Sequence, residues 1–154
     1  MSEAGKDPMG LDAILVDSTV LLHALGDVEP YRSRCRRYLD ELWAGQGRAY
    51  CSTEMLQETV FHRLRRQDRA GAVESVRRAM PLFIVLNFDH EVLELSLELI
   101  ERTTVRGRDA VHAATALAYG IEKIASSDPA FDAIPGITRI DPMAAFASAT
   151  GVGH

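Results

Sequence analysis

Short apolar runs alternate along the chain with longer segments in which apolar residues recur every three or four positions. The short runs are typical of buried strands and lie at 13–16, 48–51, 82–86, 121–125 and 137–140. The longer segments have the helical period and lie at 18–24, 31–44, 53–66, 71–80, 91–103 and 108–119. Strands and helices are therefore predicted to alternate from one end of the chain to the other.

This alternation, without internal repeats, predicts an α/β fold with a mostly parallel sheet and helices on both faces. With 154 residues, 47% of them hydrophobic, the chain can bury one core, and residues 11–142 are predicted to form a single domain. Residues 1–10 are polar, lack an apolar stretch and are expected to be a flexible leader, not a signal peptide. Residues 143–154 form a tail without a clear pattern.

The composition bears on the location of the protein, on its cysteines and on the ligands that it can bind. The longest apolar run, 82–86, is far too short to cross a bilayer, so no membrane segment is predicted and the cytoplasm is the expected location. Cys35 and Cys51 are isolated and are expected to be buried thiols. The net charge of −5 argues against a general binder of polyanions, although arginines cluster at 32–37, 63–69 and 77–78.

Two acidic residues directly follow predicted strands. Asp17 comes after the first strand and Asp128 after the fourth, so both are expected at the edge where parallel strands present side chains to a ligand. Asp128 precedes Pro129, which is equally typical of a helix N-cap. The sequence therefore leaves capping and ligand binding open for Asp128.

Two further acidic residues lie on predicted helices. Asp109 opens an alanine-rich helix, where it could bind a ligand or simply satisfy the free amides of the first turn. Glu58 lies inside a helix, where capping cannot explain it, and Glu54 lies one turn earlier and competes for the same role. The small residues that follow Asp109 allow its helix to approach the sheet closely.

Carboxylates gathered at one place stay ionised only when a cation neutralises them. Oxygen ligands favour Mg²⁺ or Mn²⁺, which activate water for attack on a phosphodiester without a protein nucleophile. His112 and His62 follow Asp109 and Glu58 by three and four residues, and each could add a nitrogen ligand. Packing or solvent exposure is the more ordinary role of both histidines.

Other chemistries find less support in the sequence. It has no glycine-rich phosphate loop, no His-Glu zinc helix and no Gly-x-Ser-x-Gly turn. A phosphohydrolase with Asp17 as its nucleophile is one alternative, but it usually needs a second Asp where this chain has Thr19. The other alternative is a non-catalytic domain that only binds protein.

Four segments, LVDSTVLLHAL, ETVFHRL, GRDAVHAATAL and SSDPAFD, make the chain over residues 11–142 resemble the PIN domain nucleases, and among them the VapC toxins. The resemblance implies a metal-dependent endoribonuclease that cleaves RNA, usually a homodimer, held inactive by a cognate antitoxin protein. Thr19, where the family commonly has Ser or Asn, departs from its pattern. Mapped onto this chain, the resemblance implies that the metal-binding acidic set is Asp17, Glu58, Asp109 and Asp128, supported less directly by Ser18, Ser126, Asp132 and Glu54.

Overall fold

A computed structural model describes residues 13–45 and 47–144. Five strands form one sheet in the order β3-β2-β1-β4-β5, and every neighbouring pair is parallel. The strands are β1 (Ala13–Val16), β2 (Arg48–Ser52), β3 (Ile84–Leu86), β4 (Lys123–Ala125) and β5 (Thr138–Ile140). The predicted parallel α/β fold is confirmed.

Helices cover both faces of this sheet. In the described part of the chain the α-helices are α1 (Ser18–Leu25), α2 (Tyr31–Ala44), α3 (Thr53–Arg63), α4 (Arg69–Ala79), α5 (His90–Arg102) and α6 (Arg108–Ala118). No helix among the described residues has the length and apolar character needed to cross a membrane. The predicted leader, 1–10, and most of the predicted tail, 143–154, lie outside the described residues.

Several predicted boundaries were wrong. The helix predicted to run to Arg66 ends at Arg63, and the chain then turns through bonds from Arg65 N to His62 O and from Arg66 N to Arg63 O. The next helix begins at Arg69, two residues earlier than predicted, because the Asp68 carboxylate accepts the Gly71 amide and caps it. Local capping bonds, not apolar spacing, set these ends.

Two strands also begin two residues later than their apolar runs. The run 82–86 begins as a 3₁₀ helix, Met80–Leu82, with proline in its first turn, and only Ile84–Leu86 pairs with β2. The run 121–125 pairs only from Lys123 onward. Ile121 is nevertheless almost fully buried, and it packs in the core as part of the connection from α6.

Strand β1 divides the core between the two faces of the sheet. Ile14 and Val16 pack with α1 to α4, whereas Leu15 points to the opposite face, which α5 and α6 cover. Four alanines of α6 are completely buried, so this helix lies close to the sheet, as expected: Ala110, Ala113, Ala114 and Ala116. The predicted burial of Cys35 and Cys51 is also confirmed.

The central position of β1 determines where a site can form. Strand β1 lies between β2 and β4. The connection that follows β2 leaves on one side of the sheet, and the connection that follows β4 leaves on the other side. An open parallel sheet has its ligand crevice at the carboxyl ends of strands where the order reverses in this way. Asp17 follows β1 at this point, and its amide donates to the Ala125 carbonyl at the end of β4.

Candidate active site

Asp17 lies at the bottom of the crevice and is only 2% exposed. Its Oδ2 atom accepts hydrogen bonds from Thr19 Oγ1 at 2.9 Å and from Ser126 Oγ at 2.8 Å. Thr19, the departure from the family pattern, therefore holds this carboxylate in place. Because a buried carboxylate without such donors is costly, these hydroxyls stabilise Asp17 in this place and fix its orientation.

The connection after β4 brings Asp128 to the same edge. Ser126 is fully buried, and its Oγ accepts the Asp128 amide while donating to Asp17. Asp128 Oδ1 accepts the Ala130 amide at 3.0 Å and caps the 3₁₀ helix Pro129–Ala133. Asp128 also hydrogen-bonds through its side chain to Asp109, so capping and membership of the acidic cluster are compatible.

Asp109 lies in the first turn of α6, but it does not cap that helix. The N-cap position belongs to Gly107, which has a φ of +63° and forms no side-chain cap. Burial, followed by the charges of Asp17 and Asp128, raises the pKa of Asp109 to about 7. A carboxyl that retains its proton near neutral pH shows how closely the negative charges approach one another.

His112 links three of the polar side chains beneath the cleft and is 1% exposed. Its Nδ1 hydrogen-bonds to Ser52 Oγ at 3.2 Å, and its Nε2 hydrogen-bonds to Glu58 Oε1 at 3.2 Å and lies 3.7 Å from Asp17 Oδ1. Burial lowers the pKa of His112, but the bond to Glu58 and the charge of Asp17 outweigh it and raise the pKa above its usual value. His112 is thus buried between two carboxylates whose charges favour its protonated form.

Glu58, and not Glu54, makes this contact. Burial favours the neutral form of Glu58, yet hydrogen bonds from His112 and Ser18 hold its pKa below the usual range. Arg108 NH1 lies 3.7 Å from Glu58 Oε2, and its side chain is 49% exposed. Glu54 is a half-buried residue of the first turn of α3, and no described hydrogen bond or ion pair joins it to His112.

Two of the candidate residues, Asp132 and His62, lie outside the acidic cluster. Asp132 is exposed and forms a two-pronged ion pair with Arg139, with Nε to Oδ1 at 2.9 Å and NH2 to Oδ2 at 3.1 Å. Its connection to the cluster is indirect, because Arg139 NH1 also donates to the Ser126 carbonyl at 3.2 Å. His62 contacts the ring of Phe61 and faces a separate cavity, so it adds no nitrogen to the acidic set.

A divalent ion needs several ligand atoms that lie close together. Within the described ranges, no three His, Cys, Asp or Glu side chains are already arranged to hold a metal. The donors nevertheless fit Mg²⁺ or Mn²⁺, because they are carboxylate oxygens. In addition, Asp109 and Asp128 share a proton, which shows that a positive charge is favoured between them.

The same geometry disfavours Asp17 as a covalent nucleophile. Both of its oxygens are engaged, one by two hydroxyl donors and the other by the nearby His112 ring. A buried oxygen that already accepts two hydrogen bonds has little free lone-pair density to attack phosphorus. The position two residues later carries the Thr19 hydroxyl, not a general acid.

Comparisons with known proteins agree with one another. The sequence profile of the PIN domain matches residues 14–137. Ribonuclease VapC7 of Mycobacterium tuberculosis is 33% identical over 136 residues, which are 86% of this chain and 93% of the relative.

Solved structures share the fold. The DNA-bound VapBC of Salmonella typhimurium superposes with a TM-score of 0.68 at 17% identity, covering 86% of this chain and 99% of that one. VapC20 of Mycobacterium tuberculosis, described as a toxin that cleaves the sarcin-ricin loop, gives a TM-score of 0.62 at 21% identity, covering 75% and 90%.

Proposed function

Because the chain belongs to the PIN domain family, we propose that it is a metal-dependent endoribonuclease and the toxin of a toxin-antitoxin pair. One observation carries the proposal: Asp17, Asp109 and Asp128 meet at one edge of the sheet, where burial and the charges of the other two carboxylates raise the pKa of Asp109 to about 7. Glu58 joins them through His112. The VapC ribonucleases among its relatives support RNA as the substrate.

Mg²⁺ or Mn²⁺ is the proposed cofactor, held by the oxygens of Asp17, Asp109 and Asp128, with Glu58 at the side. When bound, such an ion lowers the pKa of a coordinated water and stabilises charge on the leaving oxygen. Asp17 is buried and the other three carboxylates are half-buried, so together they would position the reacting groups at this edge of the sheet.

The surrounding side chains have separate roles in this proposal. Ser126 and Thr19 orient the Asp17 carboxylate, and His112 lies between Glu58 and Asp17 and holds them near each other. Arg108 lies beside Glu58 with its guanidinium half in solvent, where it can donate to a phosphate oxygen of the RNA. Asp132 and Ser18 contribute only through the residues that they hold.

The proposal is tested by incubating the purified protein with a mixed RNA pool, with Mg²⁺, with Mn²⁺ and with EDTA. Cleavage is expected only with a divalent ion. Asp17→Asn and Asp109→Asn should each slow it by at least about 100-fold, since each removes charge where the reaction develops it. Asp40→Asn is the matched control, because Asp40 is an exposed residue of α2 far from the cluster in sequence.

Cleavage that persists in EDTA, or that is retained in both cluster variants, would contradict the proposal. Asp132→Asn adds a finer test, because it removes the charge from the Arg139 ion pair without altering the cluster. A loss of activity as large as that of Asp109→Asn would move Asp132 into the catalytic set.

A cognate antitoxin is the proposed partner, and a homodimer is the proposed assembly. Several structural neighbours are VapBC complexes, which supports the first of these. Co-expression with the protein encoded by the neighbouring gene should yield a complex without ribonuclease activity, in the cytoplasm where its RNA lies. Failure of the two proteins to co-purify would separate the nuclease from the toxin-antitoxin part of the proposal.

A further inference from the structure

A second cavity opens where α1 and α3 end, next to the acidic cleft. Its volume is about 350 Å³. Its wall combines aromatic rings and arginines from three helices, α1, α2 and α3, and from the turn after α3: His23, Tyr31, His62, Arg63, Arg65 and Arg66. The site proposed above uses none of these residues.

The arginines of this cavity differ from five other arginines in the part of the chain that the structure describes. Arg32, Arg37, Arg78, Arg108 and Arg139 each lie within 4 Å of a carboxylate. Over the residues that the structure describes, no carboxylate lies within 4 Å of Arg63, Arg65 or Arg66. Asp27 also lines the cavity, but it too lies farther than this from the three arginines. Arg63 donates to the neutral Gln67 side chain, and Arg65 lies over the Phe61 ring.

In a chain with a net charge of −5, three arginines that line one cavity without a carboxylate of the described residues within 4 Å form a local surplus of positive charge. Arg63 in the last turn of α3 complements the helix dipole. Arg65 and Arg66 lie beyond the end of that helix and are exposed, so the dipole does not account for them. Their guanidinium groups are suited to bind phosphate through paired hydrogen bonds.

The aromatic part of the wall suits a flat ligand. The rings of His23 and Tyr31 stack with centroids 4.9 Å apart and planes inclined by 22°. Tyr31 remains 41% exposed, so one part of this stack is open to solvent. Burial lowers the pKa of His23, which favours a neutral ring at physiological pH.

The cavity lies one helical turn from the acidic cleft along two helices. His62 follows Glu58 by four residues on α3, and Leu22 follows Ser18 by four residues on α1. One turn corresponds to about 6 Å along each helix. A strand whose reacting phosphate lies at the carboxylates would therefore place a neighbouring nucleotide at the cavity.

We propose that this cavity binds an unpaired nucleotide adjacent to the cleaved phosphodiester, with its base against the His23 and Tyr31 stack and its phosphate on Arg65 and Arg66. The inference rests on the proposed ribonuclease function. It adds a binding subsite that favours single-stranded or looped RNA, since only an unpaired base can reach the rings.

The phosphate half is tested by measuring the affinity of a fluorescein-labelled, unstructured 12-nucleotide RNA in EDTA, where binding is separate from cleavage. Arg65→Gln combined with Arg66→Gln should weaken binding about tenfold and reduce the slope of log affinity against log salt by about 0.7 for each phosphate that the variant no longer neutralises. Arg77→Gln combined with Arg78→Gln is the matched control, because these neighbouring arginines of α4 are exposed but lie outside the cavity.

The base half is tested with Tyr31→Ala and Tyr31→Phe. Removal of the ring should weaken binding at least about fivefold, as expected when one base no longer stacks on an aromatic side chain, whereas Phe should retain wild-type affinity. Because Tyr31 and both arginines are exposed, all variants should have the melting temperature of the wild type.

The outcomes separate the two proposals. Unchanged RNA affinity in Arg65→Gln with Arg66→Gln and in Tyr31→Ala would overturn the subsite, whether or not the protein cleaves RNA. A change of oligomeric state in these variants, with RNA binding intact, would assign the cavity to a protein interface and also overturn it. Conversely, weaker RNA binding by these variants, together with RNA cleavage by the wild type without a metal ion, would support the subsite and contradict the proposed metal-dependent mechanism.

Discussion

Two parts of α3 carry opposite charges in opposite surroundings. In the middle of the helix, Glu58 faces α6 and shares a hydrogen bond with the buried His112. One turn later, His62 and Arg63 face solvent and a cavity, and the chain continues through Arg65 and Arg66. The first group is held by internal partners, and the second has no carboxylate partner within the described residues.

The contrast shows that packing determines what a charged side chain can do. Glu58 is opposite a helix whose alanines allow close approach, so its charge is matched by a neighbouring residue at a fixed distance. The arginines lie where no element covers them, so their charge remains available to a ligand. Substitutions in the two regions should therefore differ in their effects.

The largest effect is expected for the histidines. His112→Ala should lower the free energy of unfolding by about 3 kcal/mol, because it leaves the buried Asp17 and the half-buried Glu58 without their shared partner. His62→Ala, on the same helix as Glu58 but outside the polar network, should change it by less than about 0.5 kcal/mol. Urea unfolding followed by circular dichroism measures the free energy of unfolding of both variants. Equal losses of stability would contradict the difference between the two parts of α3.

The next prediction concerns pH. Asp109 has a pKa of about 7 in the folded protein, compared with its usual value of 3.8. Between these values the folded state binds more protons than the unfolded state, so this contribution to stability is lost as the pH rises. His112, whose pKa is also raised, acts in the same direction. Without divalent ions, the protein should therefore melt at a lower temperature at pH 8 than at pH 5.

Millimolar Mg²⁺ should restore the melting temperature at pH 8 more than at pH 5, because a cation competes with the proton that Asp109 retains at low pH. Asp109→Asn provides the control, since it should be less sensitive to pH and less stabilised by the ion. An identical response of the variant and the wild type to Mg²⁺ would show that the ion binds elsewhere.

The smallest effect compares a paired with an unpaired arginine. Arg139→Gln breaks the ion pair with Asp132 and the bond to the Ser126 carbonyl, and should lower the free energy of unfolding by about 1 kcal/mol. Arg66→Gln has no such pair to break and should be neutral within about 0.5 kcal/mol. Chemical unfolding of both variants decides whether the arginine after α3 is as unpartnered as its surroundings indicate.

The fold could be predicted from the sequence because its signals are local. The run 13–16 gave the boundaries of β1, and helical spacing located every helix of the described part, although not every end. The ends depend on single hydrogen bonds, such as the Asp68 cap of α4, which apolar periodicity does not report. For the same reason the run 82–86 contained both a 3₁₀ turn and β3.

The site was less predictable, because its contacts are distant in sequence. Glu54 and Glu58 share one face of α3, and only the packing of that helix against α6 shows which of them meets His112. His112 was expected to have an ordinary packing or solvent role, and only its position among buried alanines indicated that it would be enclosed. Asp132 meets Arg139 across the β5 connection, a pairing that no spacing rule reports.

Burial of the two cysteines has a practical consequence for experiments on this protein. Desolvation raises the pKa of Cys35 to about 11, with a smaller effect from Asp141, and that of Cys51 to about 12. Since only the thiolate reacts with maleimides and mild oxidants, both native sulfurs should stay unmodified while the chain is folded. A single cysteine introduced at an exposed position such as Thr53 would then carry a fluorophore alone. Such a label would allow the proposed binding of RNA to be measured by fluorescence.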